Sequence, residues 1–406
     1  MSSVRLGLRG NGVQVSNLLL IVVFIGAIVG VERSVLPLLA ESEFGLVSAT
    51  ATVSFLVTFG IAKALANFLA GDLASRVGRR RILLIAWGFG IPVPLLLMWA
   101  PSWSWIVFAN FLLGINQGLA WSTTQIMKLD LGGPRRRGLL MGLNEAAGYL
   151  SVALAALGAG YLAAIYGPRP APYLIALVSV FLGLAVTLLA VRDTDAHVEF
   201  EQESVPEGRR GGMPLWAVNQ AGLVNNLKEG VAWGLLPIYF AAEGLDLKQV
   251  GWLSALYPAV WAVVQLATGP LSDQLGRRML IVGGLLLQAL ALVGFATFTG
   301  YVPWVVAAVV LGFGTGAVYP TLIAQVGDLV RPGARASAVG RYRLWRDLGY
   351  VIGALMAGLL TDWLGIQSTL VIIALLLVGS AALAREYLPV PASAVLLGVP
   401  LAKVQR

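Results

Sequence analysis

The chain has 406 residues, of which 58% are hydrophobic and 12% are charged, and its formal net charge is +8. A soluble domain cannot bury this much apolar surface, so the composition predicts a membrane protein with several spanning segments. The chain contains no cysteine and one histidine, His197, which excludes disulfide bonds and predicts neither a metal site nor a cofactor.

Apolar runs long enough to cross a membrane, for which about 20 residues are needed, follow one another along the chain. We predict twelve of them, at about residues 15–40, 46–71, 80–100, 104–128, 138–165, 171–191, 214–242, 249–272, 279–299, 302–327, 337–362 and 367–384. Runs of this length exclude barrel strands, so the predicted fold class is an all-α membrane protein with twelve transmembrane helices. No cleavable signal peptide is predicted, because the first run is long and no small-residue cleavage pattern follows it.

The arginines concentrate in alternate loops. If the N-terminus is cytoplasmic, the outer loops carry only Arg169 and Lys248, and the other loop cations fall inside. This positive-inside bias predicts a multi-pass protein of the cytoplasmic membrane with both termini in the cytoplasm. It also accounts for the basic net charge without a nucleic-acid partner.

The same glycine and aspartate positions recur in the chain at an offset of 198 residues. The pairs are Gly71 with Gly269, Gly78 with Gly276, Gly114 with Gly312, Gly118 with Gly316, Asp130 with Asp328 and Gly142 with Gly340. The repeat predicts an N-terminal six-helix bundle at 1–191, a cytoplasmic linker at 192–213 and a C-terminal six-helix bundle at 214–406. Two bundles of equal orientation are related by a pseudo-two-fold axis along the membrane normal, with a cavity at mid-membrane.

The loop "GDLASRVGRRR" after the second run resembles the signature loop of the major facilitator superfamily, and "GPLSDQLGRRM" resembles its copy in the second half. The resemblance covers essentially the whole chain. It implies a monomeric secondary transporter that works by alternating access. It also implies that spans 1, 2, 4, 5, 7, 8, 10 and 11 line the cavity.

The signature loop is interpreted as a cytoplasmic gate as well as an orientation signal; orientation alone is the alternative. Asp72 is expected to face the N-terminus of a neighbouring helix, which the resemblance implies is the eleventh span. Arg76 and Arg79 are expected to reach carboxylates at helix ends such as Asp130, with Arg277 and Asp328 as the mirror copy. The predicted gating residues are Gly71, Asp72, Arg76, Gly78, Arg79, Asp130, Gly276, Arg277 and Asp328. The second copy has Pro270 in place of Asp72, so its gate is expected to be weaker.

Charged residues inside the spans are costly unless they face a cavity or a partner, and they are the best candidates for a site. We predict proton-coupling roles for Glu32, Glu145 and Glu229. The predicted substrate-binding residues are Arg33, Lys63, Asn67, Gln117, Trp121, Gln125, Asn144, Asn225, Asn226, Lys228, Tyr257, Trp261, Gln265, Tyr319, Arg346 and Asp347. Many of them form polar stripes that step by three or four residues along a helix.

Several charged residues of the spans have a structural alternative. Lys128 is equally well explained by snorkelling to the inner interface. Arg346 and Asp347 are equally well explained as fixed bridges to other spans. Adjacent opposite charges, such as Glu32 and Arg33, are not expected to face each other, because neighbours on a helix point about 100° apart.

The favoured function is proton-coupled efflux of a small organic solute. Two features of drug exporters are missing, because Gly114 occupies the position of their fourth-span arginine and "ALGAGYL" lacks their fifth-span proline. Transport of an organic anion or a lysolipid therefore stays open, as does a non-transporting assembly factor or sensor. An enzyme is excluded, because no nucleophile–base pattern or phosphate-binding loop occurs.

Overall fold

The computed structural model describes residue 4 and residues 6–45, 49–204, 212–245 and 247–389, and within these ranges the secondary structure is helical without strands. The α-helices are α1 Leu8–Ser42, α2 Ala49–Val77, α3 Arg79–Gly90, α4 Pro92–Trp99, α5 Trp103–Gly132, α6 Arg137–Tyr166, α7 Tyr173–Ala190, α8 Asp195–Ser204, α9 Gly212–Gly234, α10 Leu236–Ala242, α11 Leu247–Leu275, α12 Arg277–Thr297, α13 Tyr301–Leu329, α14 Arg335–Leu364 and α15 Ile366–Tyr387.

Among the described residues, ten helical segments are long and apolar enough to cross a membrane. The helices α5 and α9 are also long, but polar residues such as Gln117 and Asn225 lower their hydropathy. The helices of the fold therefore match the predicted spans, and the most polar of them carry many of the predicted site residues.

Two predicted spans are each split into two helices. The third span is interrupted at Ile91, directly before Pro92 and Pro94, and the seventh is interrupted at Leu235, before Pro237. Proline has no backbone N–H and therefore removes one hydrogen bond from the helical ladder. The span predictions missed these breaks because hydropathy does not register backbone hydrogen bonding.

The chain divides into two compact units. Unit 1 comprises residues 1–133, 143–207 and 331–347, and unit 2 comprises 134–142, 208–330 and 348–406. The first residues of α14 thus belong to unit 1, and the first residues of α6 to unit 2. The predicted domain boundaries follow the sequence repeat and stay a prediction.

Part of the predicted linker is more ordered than a solvated connection. Residues 195–204 form helix α8, and Thr194 and Glu201 are almost fully buried. Residues 205–211 lie outside the described residues. Most polar side chains of this segment are exposed, as a connecting segment predicts, but Thr194, Asp195 and Glu201 form hydrogen bonds or ion pairs within unit 1.

Glycines set the closest helix contacts in both units. A Cβ atom on Gly114 would lie 2.6 Å from the carbonyl oxygen of Phe59, and one on Gly312 would lie 2.9 Å from that of Tyr257. Equivalent positions of the repeat therefore pack α5 on α2 and α13 on α11. Gly78 and Gly276 precede α3 and α12 with φ of 91° and 92°, a conformation that glycine adopts readily.

Candidate functional site

The polar core of unit 1 is centred on Glu145 of α6. Its Oε1 atom accepts hydrogen bonds from Trp121 Nε1 at 3.0 Å, Gln125 Nε2 at 2.5 Å and Asn144 Nδ2 at 2.7 Å. Gln125 in turn accepts a hydrogen bond at 2.6 Å from Arg343, which is 1% exposed. The structure thus brings together four predicted site residues and adds an arginine that the sequence analysis did not select.

Lys128 lies about one turn after Gln125 on α5 and is fully buried. Its Nζ donates to the carbonyl oxygen of Leu18 at 3.2 Å. The snorkelling alternative is therefore wrong for the described conformation. Gln117, one turn above Trp121 on the same helix, is also buried, and its Oε1 has no hydrogen-bond partner among the described residues.

A second cluster in unit 1 joins α2, α5 and α14. Asn67 donates a short hydrogen bond to Asp347 and accepts one at 2.5 Å from Ser122. Arg346 donates to Asp347 at 2.7 Å. The expectation that adjacent opposite charges do not meet is wrong here, because the long arginine side chain bends around the helix to its neighbour.

Two cations of unit 1 share one aromatic ring. The guanidinium carbon of Arg33 lies 5.0 Å from the centroid of Phe59, and Lys63 Nζ lies 5.6 Å from it. Neither cation forms an ion pair with a described residue. Gly114 packs directly against this stretch of α2, with no room for a side chain at the position where exporters carry an arginine.

Glu32 differs from the other carboxylates of the cores. Its side chain is 1% exposed, and neither carboxylate oxygen has a hydrogen-bond partner among the described residues. A buried charged group without partners is strongly disfavoured, so this environment suits a protonated carboxyl.

In unit 2 the carboxylate of Glu229 lies at the centre of a polar cluster. Glu229 accepts from Lys228 at 2.5 Å, from the Tyr257 hydroxyl at 2.5 Å and from Trp233 Nε1 at 2.9 Å. Lys228 and Glu229 are a second adjacent pair that meets despite its spacing. A small, mostly apolar pocket borders this cluster, lined by Trp233, Tyr257, Leu236 and Phe295 among others.

The remaining predicted binding residues of unit 2 lie in a neighbouring polar layer. Asn225 accepts from Gln288 at 2.9 Å, and the Tyr319 hydroxyl donates to Asn226 at 3.3 Å. The rings of Trp261 and Tyr319 are 4.8 Å apart. The buried side-chain amide of Gln265 has no hydrogen-bond partner among the described residues.

Two predicted gating residues of unit 1, Arg79 and Asp130, belong to a largely buried ion network. Arg79 lies 3.4 Å from Asp130, as expected, and also pairs with Asp195. Arg335 bridges Asp130 at 2.9 Å and Glu201 at 2.7 Å. Three of these partners, Arg335, Glu201 and Asp195, were not selected from the sequence. The repeat offers a signal for one of them, since Arg335 stands 198 residues after Arg137.

Asp72 and Arg76 lie outside this network. They pair with each other at 3.0 Å, and their side chains are 48% and 72% exposed. The expected contact of α2 with the start of α14 is made by Gly71 instead, where a Cβ atom would lie 2.5 Å from the carbonyl oxygen of Ala336.

Unit 2 has its own version of this arrangement. Asp328 pairs with Arg277 at 3.0 Å, as expected, and with the buried Arg137 at 2.7 Å. Asp273 accepts hydrogen bonds from the backbone N–H groups of Gly138 and Leu139 at the start of α6, both at 2.9 Å. The carboxylate-to-helix contact expected of Asp72 therefore occurs in the second copy, at Asp273, which the sequence analysis missed because it followed the position of Pro270.

A comparison with models of known families assigns the family of this chain. The model of the Major Facilitator Superfamily matches residues 18–218 and 220–402. The chain belongs to the major facilitator superfamily. The resemblance drawn from the two signature loops is confirmed.

Relatives and solved structures agree with this assignment. The Multidrug resistance protein MdtG of Escherichia fergusonii is 25% identical over 368 residues, which cover 86% of this chain and 88% of that protein. MdtG of Salmonella typhimurium is 24% identical over 328 residues, covering 77% and 79%. The human organic anion transporter MFSD10 has a TM-score of 0.77 at 17% identity and covers 92% of this chain and 99% of that one. The proton:xylose symporter XylE has a TM-score of 0.74 at 16% identity, with coverage of 93% and 97%.

These findings establish the fold and the general class of function. The fold is the helical fold of major facilitator transporters, and the chain is a multi-pass membrane transporter rather than an enzyme. The structural neighbours are less than 25% identical to this chain, so they define the fold alone.

Proposed function

We propose that this major facilitator protein is a proton-coupled secondary transporter that exports a small organic solute across the cytoplasmic membrane. The observation that carries the coupling proposal is the buried Glu32, whose carboxylate has no hydrogen-bond partner among the described residues. The positive-inside bias supports a cytoplasmic location for both termini. The working unit proposed is a monomer in the bilayer.

Proton carriage at Glu32 follows from solvation. In the described conformation the carboxyl is buried without a hydrogen-bond partner among the described residues, and a charge there is costly. A conformation that opens this region to water stabilises the carboxylate, so the proton leaves on one side of the membrane. Proton binding and conformation are linked because the two states hold the proton with different affinity.

Glu145 and Glu229 are second-choice carriers. Each already accepts three hydrogen bonds in the described conformation. They fit better as fixed acceptors that orient Trp121, Gln125 and Tyr257 towards a solute.

Export is supported by the MdtG relatives, whose name is that of multidrug resistance proteins. The packing of Gly114 against α2 opposes a drug–proton antiporter that uses an arginine at this position. A second candidate is transport of an organic anion or a lysolipid, and Arg33 and Lys63 favour it because neither forms an ion pair with a described residue. A non-transporting role is disfavoured, because many buried charges are retained at a cost in stability.

We further propose that the ion network of Arg79, Asp130, Arg335 and Glu201 is a cytoplasmic gate. The network joins the starts of α3 and α14 to the end of α5 and to α8. All four side chains are at most 4% exposed, so the ion pairs are shielded from water and salt. Breaking the network is the proposed step that frees the start of α14.

The coupling proposal is tested by solute-driven proton flux in proteoliposomes. A pH-sensitive dye is trapped inside, and organic anions, lysolipids and cationic amphiphiles are added to wild type and Glu32→Gln. The matched control is Glu199→Gln, which removes an exposed carboxylate on α8. We expect a solute-dependent proton signal that is lost in Glu32→Gln and retained in the control.

Each other outcome has a separate meaning. A signal retained in Glu32→Gln assigns coupling to Glu145 or Glu229. Solute uptake without any proton signal contradicts proton coupling. Silence with every compound, in protein shown to be folded, contradicts transport and favours the non-transporting role.

A further inference from the structure

Arg33 of α1 and Lys63 of α2 form a pair of cations around Phe59. Both lie within 6 Å of the ring centroid, at 5.0 Å for the guanidinium carbon of Arg33 and 5.6 Å for Lys63 Nζ. Their side chains are only partly exposed. No described carboxylate lies within ion-pair distance of either cation, although other cations of unit 1, such as Arg346 and Arg335, have such partners.

The wider surroundings add positive charge. Lys63 is within electrostatic range of Arg33, Arg343 and Arg346, all of which repel it, and of one carboxylate, Asp347. Asp347 is already used, since it accepts from Arg346 and Asn67. Glu32 lies within electrostatic range of Arg33 but forms no ion pair with it. Four cations, Arg33, Lys63, Arg343 and Arg346, thus face two carboxylates, Glu32 and Asp347, and the local balance is an excess of positive charge.

An excess of like charge among apolar helices is unfavourable unless an anion completes it. Phe59 reduces this cost by presenting its ring to both cations, but the ring is a weak substitute for a carboxylate. A guanidinium and an ammonium that approach the same ring suit a carboxylate, phosphate or sulfonate group. The guanidinium donates two hydrogen bonds in one plane, and the lysine adds a point charge.

We propose that the transported solute is an organic anion and that its charged group binds between Arg33 and Lys63 next to Phe59. This inference rests on the proposed transport function and names the charge of its solute. The same geometry selects against organic cations, which would face both repelling side chains. The Glu145 cluster does not reverse this preference, because the Oε1 atom of that carboxylate is engaged by three donors.

Equilibrium binding to the purified, full-length protein in detergent tests the charge of the ligand directly. The probes are fluorescein, an anion, and tetramethylrhodamine methyl ester, a cation with the same xanthene ring, each followed by fluorescence anisotropy. Unlabelled lysophosphatidylglycerol and free glycerol phosphate serve as competitors, because the anionic group could belong to a lipid or to a soluble compound.

The variants are Lys63→Gln, Arg33→Gln and the charge-conserving Lys63→Arg. The matched control is Arg81→Gln, which removes an exposed cation at the start of α3. We expect fluorescein to bind wild type at least about tenfold more tightly than the rhodamine ester. We expect each glutamine variant to weaken fluorescein binding by about tenfold, while Lys63→Arg and Arg81→Gln retain it.

Competition by the lysolipid but not by glycerol phosphate assigns the anion to a lipid, and the reverse assigns it to a soluble compound; both support an anionic solute. The inference is overturned if neither fluorescein nor the lysolipid binds, if the two dyes bind equally, or if Lys63→Gln and Arg33→Gln bind fluorescein as wild type does.

The binding assay is independent of proton movement. Anion binding without proton flux leaves this inference standing and contradicts the coupling proposal. Proton flux driven only by cationic amphiphiles supports coupling and overturns the anion inference.

Discussion

At the scale of single residues, Gly114 links a missing sequence feature to a packing constraint. A Cβ atom there would lie 2.6 Å from the Phe59 carbonyl oxygen and 2.9 Å from the Ala62 Cβ. Both neighbours are parts of the α2 backbone or attached directly to it, so they cannot move away without shifting the helix. The cation that exporters place on the fourth span is thus absent from α5, while Lys63 provides one on the facing helix.

We therefore expect Gly114→Ala to destabilise the protein by about 1 to 3 kcal/mol, because α2 and α5 must separate. Fluorescence-detected thermal unfolding in detergent measures this as a lower midpoint. Gly283→Ala is the matched control, since a Cβ atom on this helical glycine of α12 meets nothing within 4 Å. Equal midpoints for Gly114→Ala and wild type would show that the contact is not tight.

His197 gives a prediction for pH. Burial lowers the pKa of His197, the nearby Asp130 carboxylate raises it in part, and Nε2 lies 3.2 Å from Asn11 Oδ1. Because the folded state holds the proton less tightly than the unfolded state, its contribution is fully present above the unfolded pKa and is lost as the pH falls through the lowered, folded pKa.

We expect the unfolding midpoint of wild type to fall below about pH 6.5 more steeply than that of His197→Gln, in which this group does not titrate. The comparison of the two proteins over the same pH series isolates the histidine from the carboxylates. Parallel curves would mean that the folded state leaves the affinity of His197 for its proton unchanged.

At the scale of elements, α8 is held in place by charge. Glu201 is 2% exposed and pairs with Arg335, while Glu199 on the same short helix is exposed. Removing the Glu201 charge leaves the buried Arg335 with one carboxylate, Asp130. The helix should then undock more often.

Since the chain has no cysteine, a single cysteine reports on this undocking. With Val198→Cys, which places a thiol at a position that is 7% exposed, maleimide labelling should accelerate in the Glu201→Gln background. The loss of a charged hydrogen bond, about 2 kcal/mol, corresponds to roughly 30-fold in rate. Glu199→Gln should label at the parental rate, and equal rates in both backgrounds would contradict a docking role for Glu201.

The sequence predicted the elements well and their ends poorly. Hydropathy located every described span, because span length and apolar content are local properties. It missed the breaks before Pro92 and Pro237. It also missed the helix at 195–204, because the formation of that helix depends on partners far away in the chain. The same limit applies to the site. Arg79–Asp130 was predicted from charges at helix ends and Arg277–Asp328 as its copy in the repeat. Asp195, Glu201 and Asp273 act through contacts that no spacing reveals.

At the scale of the whole molecule, the internal repeat extends to the arginines that precede α6 and α14. Arg137 and Arg335 are separated by the repeat offset of 198, and each pairs with the aspartate of the other sequence half, Asp328 and Asp130. In each unit, an arginine in the first turn of one of these helices therefore pairs with an aspartate near the end of another helix. A pattern search limited to each half would not find this exchange.

Membrane orientation provides a prediction for the entire chain. With both termini in the cytoplasm, a cysteine replacing Ser102 faces outside and one replacing Glu199 faces inside. A membrane-impermeant maleimide should label Ser102→Cys in intact cells and Glu199→Cys only after permeabilisation. The reverse pattern would invert the topology and, with it, the side assigned to the gate.

The joint between α2 and α14 depends on the chemical polarity of one amide. The Asn67 oxygen accepts from Ser122, and its nitrogen donates to Asp347. Exchanging that nitrogen for oxygen places a second carboxylate against Asp347 without changing the size of any side chain. Deamidation of Asn67 would therefore turn this attraction into repulsion. Such a single-atom change alters the charge of the joint but not the volume of its side chains.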